Sequence, residues 1–163
     1  MKKILVLSDT HSFIDDAIRK YAKLHDEIWH AGDWGVVSLY DELAAINTVR
    51  GVYGNIDGHD IRSDNPKGRC FTVEGVKVLM THIGGYPKRY NAVFKQRIFR
   101  EKPNLVITGH SHILKVLFDK TLNHLHINPG AAGIEGIHKV RTMVSIEVHE
   151  GKISNAKVIE LKK

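Results

Sequence analysis

Short apolar runs broken by Gly, Asp, Asn and His recur along the chain. Lys3–Leu7 is rich in leucine and β-branched residues and stops at Ser8-Asp9-Thr10-His11, which reads as a buried strand followed by a loop. Asp15–Leu24 then places Ala17, Ile18, Tyr21, Ala22 and Leu24 at helical spacing. Glu27–His30 reads as a second strand, broken by Ala31-Gly32-Asp33, and Leu39–Ile46 reads as helix. Thr48–Tyr53 is a third strand ending at Gly54-Asn55. Repeated strand–loop–helix passages predict an α/β layered fold with parallel pairing near the N-terminus.

The pattern then changes. Arg69–Val73 and Val76–Thr81 flank Glu74-Gly75 and predict a hairpin. A helix over Ala92–Glu101 is ended by Pro103. Leu105–Thr108, Leu114–Phe118, Leu125–Ile127, Thr142–Val148 and Lys152–Leu161 follow as strands, the last two joined by a turn at Glu150-Gly151. A parallel half followed by an antiparallel half predicts two sheets packed face to face with helices outside. No linker or internal repeat interrupts residues 1–163, so one domain is expected.

Composition narrows the class. The chain is 42% hydrophobic and 26% charged, the balance of a globular protein. Cys70 is the only cysteine, which excludes an intrachain disulfide and suits a reducing, cytoplasmic setting. No stretch reaches membrane-spanning length, and the apolar run after Met1-Lys2-Lys3 is too short for a signal peptide. The net charge of +6 suits an anionic partner. The basic side chains Lys95, Arg97, Arg100 and Lys102 fall on one predicted helix and read as a solvated face. Without an aromatic–basic motif beside them, they do not call for nucleic acid.

The chemistry lies in the residues at strand ends. Asp9 and His11 follow the first strand, Asp33 the second and Asn55 the third; His82 follows Val76–Thr81, and His110 and His112 follow Leu105–Thr108. Gly32, Gly54 and Gly109 stand next to three of them, where a glycine lets the backbone turn and approach closely. Successive strand ends can converge on one crevice. Each element alone has a plainer reading. Asp9 could belong to a capping segment, Asp33 could cap a helix near Val36, and Asn55 could be a turn residue. Eleven histidines in 163 residues give about 0.7 His-x-His pairs by chance. His124 and His126 form another such pair inside a predicted strand, where a structural role is expected. The plainer readings would have to hold at every strand end together.

Taken in order, Asp9-Thr10-His11, Gly32-Asp33, Gly54-Asn55, Thr81-His82 and Gly109-His110-Ser111-His112 resemble the calcineurin-like metallophosphoesterase signature. The resemblance covers essentially the whole chain and is nearest to the small single-domain phosphodiesterases of bacteria and archaea, which Asn128-Pro129-Gly130 also matches. It implies a four-layer α-β-β-α sandwich of two mixed sheets flanked by helices. It also implies Asp9, His11 and His112 around one metal, Asn55, His82 and His110 around a second, and Asp33 between them. Asp33, Asn55 and His82 are the expected catalytic positions. Imidazole, carboxylate and amide donors suit two divalent ions such as Mn foremost, or Fe, Zn, Co or Ni, rather than Ca. The implied reaction is hydrolysis of a small phosphate ester by a metal-bridging hydroxide.

The chain also departs from the family. Larger members carry a histidine directly after the Asn, where this chain has Ile56, so the general acid is unassigned. A second acid after Gly-Asp is replaced in Asp33-Trp34-Gly35-Val36, and a His-Gly-His motif by His82-Ile83-Gly84-Gly85. His59 is expected to be structural or at the surface, and Lys88 and Arg89 an exposed basic loop. Asp57 is expected either to orient a ligand histidine or to be a turn residue. Phosphomonoester hydrolysis, nuclease action and a non-catalytic scaffold on the same fold compete with the phosphodiesterase reading; the sequence leaves oligomeric state open.

Overall fold

The computed structural model describes residues 1–163. Three strands alternate with two helices at the start: β1 (Lys2–Leu7), α1 (Asp16–Lys23), β2 (Glu27–His30), α2 (Val37–Ile46) and β3 (Thr48–Gly51). Next come α3 (His59–Arg62), β4 (Gly68–Val73), β5 (Val76–Thr81), α4 (Ala92–Glu101) and β6 (Leu105–Ile107). The chain finishes with β7 (Lys115–Asp119), β8 (His124–Asn128), β9 (Val140–His149) and β10 (Lys152–Lys162).

Alternation within the strands builds the layers. Ile4 and Val6 of β1 face the second sheet, where Val78, Met80, Ile107 and Ile127 join them in a buried cluster. Leu5 and Leu7 point the other way, onto Ile18 and Ala22 of α1 and Leu39 and Leu43 of α2. Leu79 and Val106 leave the opposite side of the second sheet and pack under Phe94 and Ile98 of α4. The order is therefore helix, sheet, sheet, helix, as expected. Asp15 caps α1, its side chain accepting from the Ile18 amide at 3.0 Å; the N-cap of α2 is Val36, which supplies no side-chain cap, and Asp33 is free of that duty.

Sheet membership differs from the expectation of a parallel half and an antiparallel half. One sheet has the order β10-β9-β1-β2-β3, the other β4-β5-β6-β8-β7. The C-terminal hairpin returns to the first sheet, with β9 antiparallel to β1. In the second sheet β6 lies parallel to both β5 and β8. The single turn of α3 was not foreseen; four residues carry no periodicity to read.

Candidate metal centre

The loops after β1 and β2 are stitched together by their backbones. The Asp9 amide donates to the Gly32 carbonyl at 2.9 Å, His11 to Asp33 at 3.0 Å and Ser12 to Trp34 at 2.8 Å. This places both aspartates under one opening. Many of the side chains there stand on left-handed backbone: φ is 55° at Asp9, 44° at His11, 57° at Asp33, 71° at His110 and 61° at His112. Such values are uncommon outside glycine and cluster at functional sites. Gly54 and Gly109 allow the close approach, since a Cβ at Gly54 would strike the Asp33 carboxylate and one at Gly109 the Ser8 hydroxyl.

All seven residues singled out at the strand ends come together. Donor atoms of Asp9, His11 and His112 lie within 4.8 Å of one another, as do those of Asp33, His82 and His110. Asn55 Oδ1 is 3.1 Å from His110 Nδ1, joining the second group. Asp33 stands between the groups, with Oδ2 3.4 Å from His11 Nε2 and 3.2 Å from His82 Nε2.

Each carboxylate is held by one oxygen and leaves the other toward the opening. Asp9 Oδ2 accepts from the Ser8 hydroxyl at 2.7 Å and the His110 amide at 3.1 Å. Asp33 Oδ1 accepts from the Ile56 amide at 3.1 Å. His82 donates from Nδ1 to the Ala31 carbonyl at 2.7 Å, which leaves Nε2 facing inward. Asp9 Oδ1, His11 Nε2 and His82 Nε2 are buried with no hydrogen-bond partner. Buried polar atoms are rarely left so; two of these lie in the first donor group and one in the second, as ligands awaiting divalent ions would. No thiolate is near, so the donors suit borderline metals rather than a structural zinc site.

The electrostatics agree. Burial pulls the Asp9 carboxyl up, but the imidazoles of His11, His112 and His82 and the Ser8 hydroxyl outweigh it and hold it well below the usual range. Burial likewise opposes, and His82 overcomes, in keeping Asp33 ionised. The Asp9 carboxylate raises His11 against burial. His82 is also raised: burial works against its proton, but Asp33 and Asp9 prevail. Two carboxylates thus attract positive charge to the opening, which a metal would supply.

Three supporting residues were not assigned these roles from the sequence. His30 is fully buried, stacked on Trp34 at 3.6 Å, and accepts from the Gly32 amide while meeting the Thr10 hydroxyl at 3.0 Å. Burial depresses its pKa to about 3, so it is a neutral brace under the loops. Asp57 orients no histidine: its carboxylate accepts from the backbone amides of Trp34, Gly35 and Gly54. Ser8 carries no signal beyond preceding Asp9. His59 is exposed and lines a hollow with Gly35 and Val36, apart from the donor groups. Lys88 and Arg89 are exposed, as expected. His124 and His126 are buried and both bonded to the Tyr90 hydroxyl, at 2.9 and 2.7 Å, away from the opening.

Known proteins resemble the chain in sequence or in fold. The family model of the calcineurin-like phosphoesterase superfamily domain matches residues 1–151. A probable metallophosphoesterase of Mycoplasma pneumoniae is 29% identical, over 95% of this chain and 95% of its own. One from Methanothermobacter thermautotrophicus is 28% identical, over 85% of this chain and 82% of its own. Among solved structures, Vps29 of Chaetomium thermophilum has a TM-score of 0.76 at 15% identity, covering 99% of this chain and 97% of that one, a likeness of fold alone. By its sequence match, its two-sheet sandwich and the donors gathered at its strand ends, the chain belongs to the calcineurin-like phosphoesterase superfamily.

Proposed function

We propose that the chain is a two-metal phosphodiesterase acting on a small phosphate ester in the cytoplasm. The observation that carries this reading is Asp33 Oδ2, which faces imidazoles of both donor groups at 3.4 and 3.2 Å and so can be shared by two ions. Asp9, His11 and His112 would hold the first ion and Asn55, His82 and His110 the second, with Asp33 common to both. Two divalent ions so held, manganese foremost, lower the pKa of water and offset the charge of the phosphate. The chain's own part is to present oriented lone pairs: Ser8, Ile56 and Ala31 fix which atom of Asp9, Asp33 and His82 faces inward. Asn55 and His82 also line the neighbouring hollow, where an ester arm would enter. The single Cys70, without a disulfide, supports the cytoplasmic setting.

The test is hydrolysis of bis-p-nitrophenyl phosphate by metal-stripped protein with Mn²⁺ restored. Turnover should appear with metal and fall at least ~100-fold in Asp33→Ala and His82→Ala. Ile56 offers no proton at the place where larger members of the family carry histidine. Aryl esters should therefore outpace matched alkyl esters by roughly 10²–10⁴-fold, the contribution of a general acid. A second reading, a protein-binding module, draws on Ile56, Ile83 and Ile113, exposed isoleucines that each follow a donor residue. Metal binding without turnover on any ester would favour it.

A further inference from the structure

Two hollows join beside the second donor group. The first, about 250 Å³, begins at Asn55 and His82 and is walled by Tyr53, Arg62 and Lys67. The second, about 590 Å³, runs along α4 past Arg97 and Arg100. Both include Lys67, Thr81 and Ile83, so they form one groove leading away from the metal centre. Its volume falls in the range of small-molecule clefts, about 300–1,000 Å³.

The groove is cationic throughout. No acidic residue lines either part. Arg62 is held in place, its Nε donating to the Asp57 carbonyl at 2.7 Å and its guanidinium lying 4.2 Å from the Tyr53 ring centroid. Neither Arg62, Lys67 nor Arg97 makes an ion pair.

Arg97 is the decisive residue. It is half-buried, and its Nε is buried with no acceptor. A Cβ at Gly68 would come within 2.5 Å of its Nη1, so glycine there makes room for the guanidinium to lie against β4. The solvated face expected of α4 thus holds for Lys95 and Arg100 but not for Arg97. Arg97 lines the groove without a carboxylate partner, and phosphate is an anion its planar fork matches well.

We propose that this groove binds a second phosphate, carried on one ester arm of the substrate. The preferred substrate class is then a small phosphodiester with one arm that carries a further phosphate monoester. The scissile phosphate sits at the metal centre, Lys67 lies along the arm, and Arg97 receives the distal phosphate. The assignment rests on the phosphodiesterase reading for its reaction but not for its binding. Long nucleic acid is disfavoured, since the groove lacks the row of stacking aromatics such tracks use.

The experiment compares two chromogenic esters on the full chain with Mn²⁺: thymidine 5′-(p-nitrophenyl phosphate) and the same ester bearing a 3′-phosphate. The 3′-phosphate should lower KM at least ~10-fold, and the ratio of the two KM values should collapse toward one in Arg97→Ala and Lys67→Ala. Arg97→Lys should restore part of it. Calorimetry with thymidine 3′,5′-bisphosphate gives a readout free of turnover: wild type should bind at least ~10-fold more tightly than Arg97→Ala. If neither ester is cleaved, the phosphodiesterase reading fails while this comparison still decides the groove. Equal KM values for the two esters, or equal bisphosphate binding by variants with wild-type circular dichroism and melting, would overturn the proposal. So would binding of oligothymidylate that tightens with length and falls steeply with salt, the mark of a nucleic-acid track.

Discussion

Replacing Asp57 with alanine tests how the two-loop floor of the metal centre is held. The carboxylate is 3% exposed and accepts at 3.2 Å from Trp34, 3.0 Å from Gly35 and 2.8 Å from Gly54. A bond to a charged partner contributes about 1.5–3 kcal/mol, and a buried donor left unmet costs about 1–3 kcal/mol. Three amides sharing one acceptor are not additive, and water entering the vacated space recovers part of the loss. The expected destabilisation is about 3–5 kcal/mol, the scale of breaking a buried charged network. Asp57→Asn keeps one accepting oxygen but turns an N–H toward the amides, so about 2 kcal/mol is expected. Urea unfolding in chelator measures both without metal linkage. Because Gly54 packs against Asp33, the alanine variant should also bind the second metal more weakly in a titration. A loss below about 1 kcal/mol together with unchanged metal binding would refute this account.

Metal should stabilise the fold as well as activate it. At a free concentration one hundred times its Kd, one ion contributes about 2.7 kcal/mol. For a chain of this size that raises Tm by roughly 5–10 °C, read by thermal melts with and without chelator. Acid should weaken the protein partly through His126, whose pKa burial depresses to about 3. The folded form stays neutral while the unfolded chain takes up a proton near pH 6.5, so stability is lost as pH falls between those values. By pH 5 this amounts to about 2 kcal/mol, and His126→Gln should flatten the pH dependence of the urea midpoint by that much. Equal slopes for wild type and variant would count against it.

The strands were legible because each is a short apolar run stopped by a polar or glycine residue. Val76–Thr81 and Ala92–Glu101 match their observed limits. The donor set was legible because strand ends are where side chains can converge, and Asp33 or His110 sits directly after its stopping glycine. Pairing was less so. Lys152–Leu161 reads as a strand, but nothing in its pattern tells which sheet receives it. Asp57 escaped because its partners are backbone amides of Trp34, Gly35 and Gly54, and amides leave no trace in side-chain identity. Arg97 escaped for a related reason: one charged residue among four looks like surface until Gly68 is seen to open a place for it.

The left-handed backbone at Asp9, His11, Asp33, His110 and His112 has an evolutionary consequence. An L-residue with a Cβ sits there at a cost of about 1–2 kcal/mol, which glycine avoids and asparagine lessens. Selection for heat resistance in the presence of chelator, with metal binding and hydrolysis left unscored, should therefore edit these positions early. His11→Gly and His112→Gly would rank among the first gains. A library sorted once for survival on heating and once for turnover would separate at these five codons, reading off from sequence which side chains the fold tolerates only for the sake of what they hold.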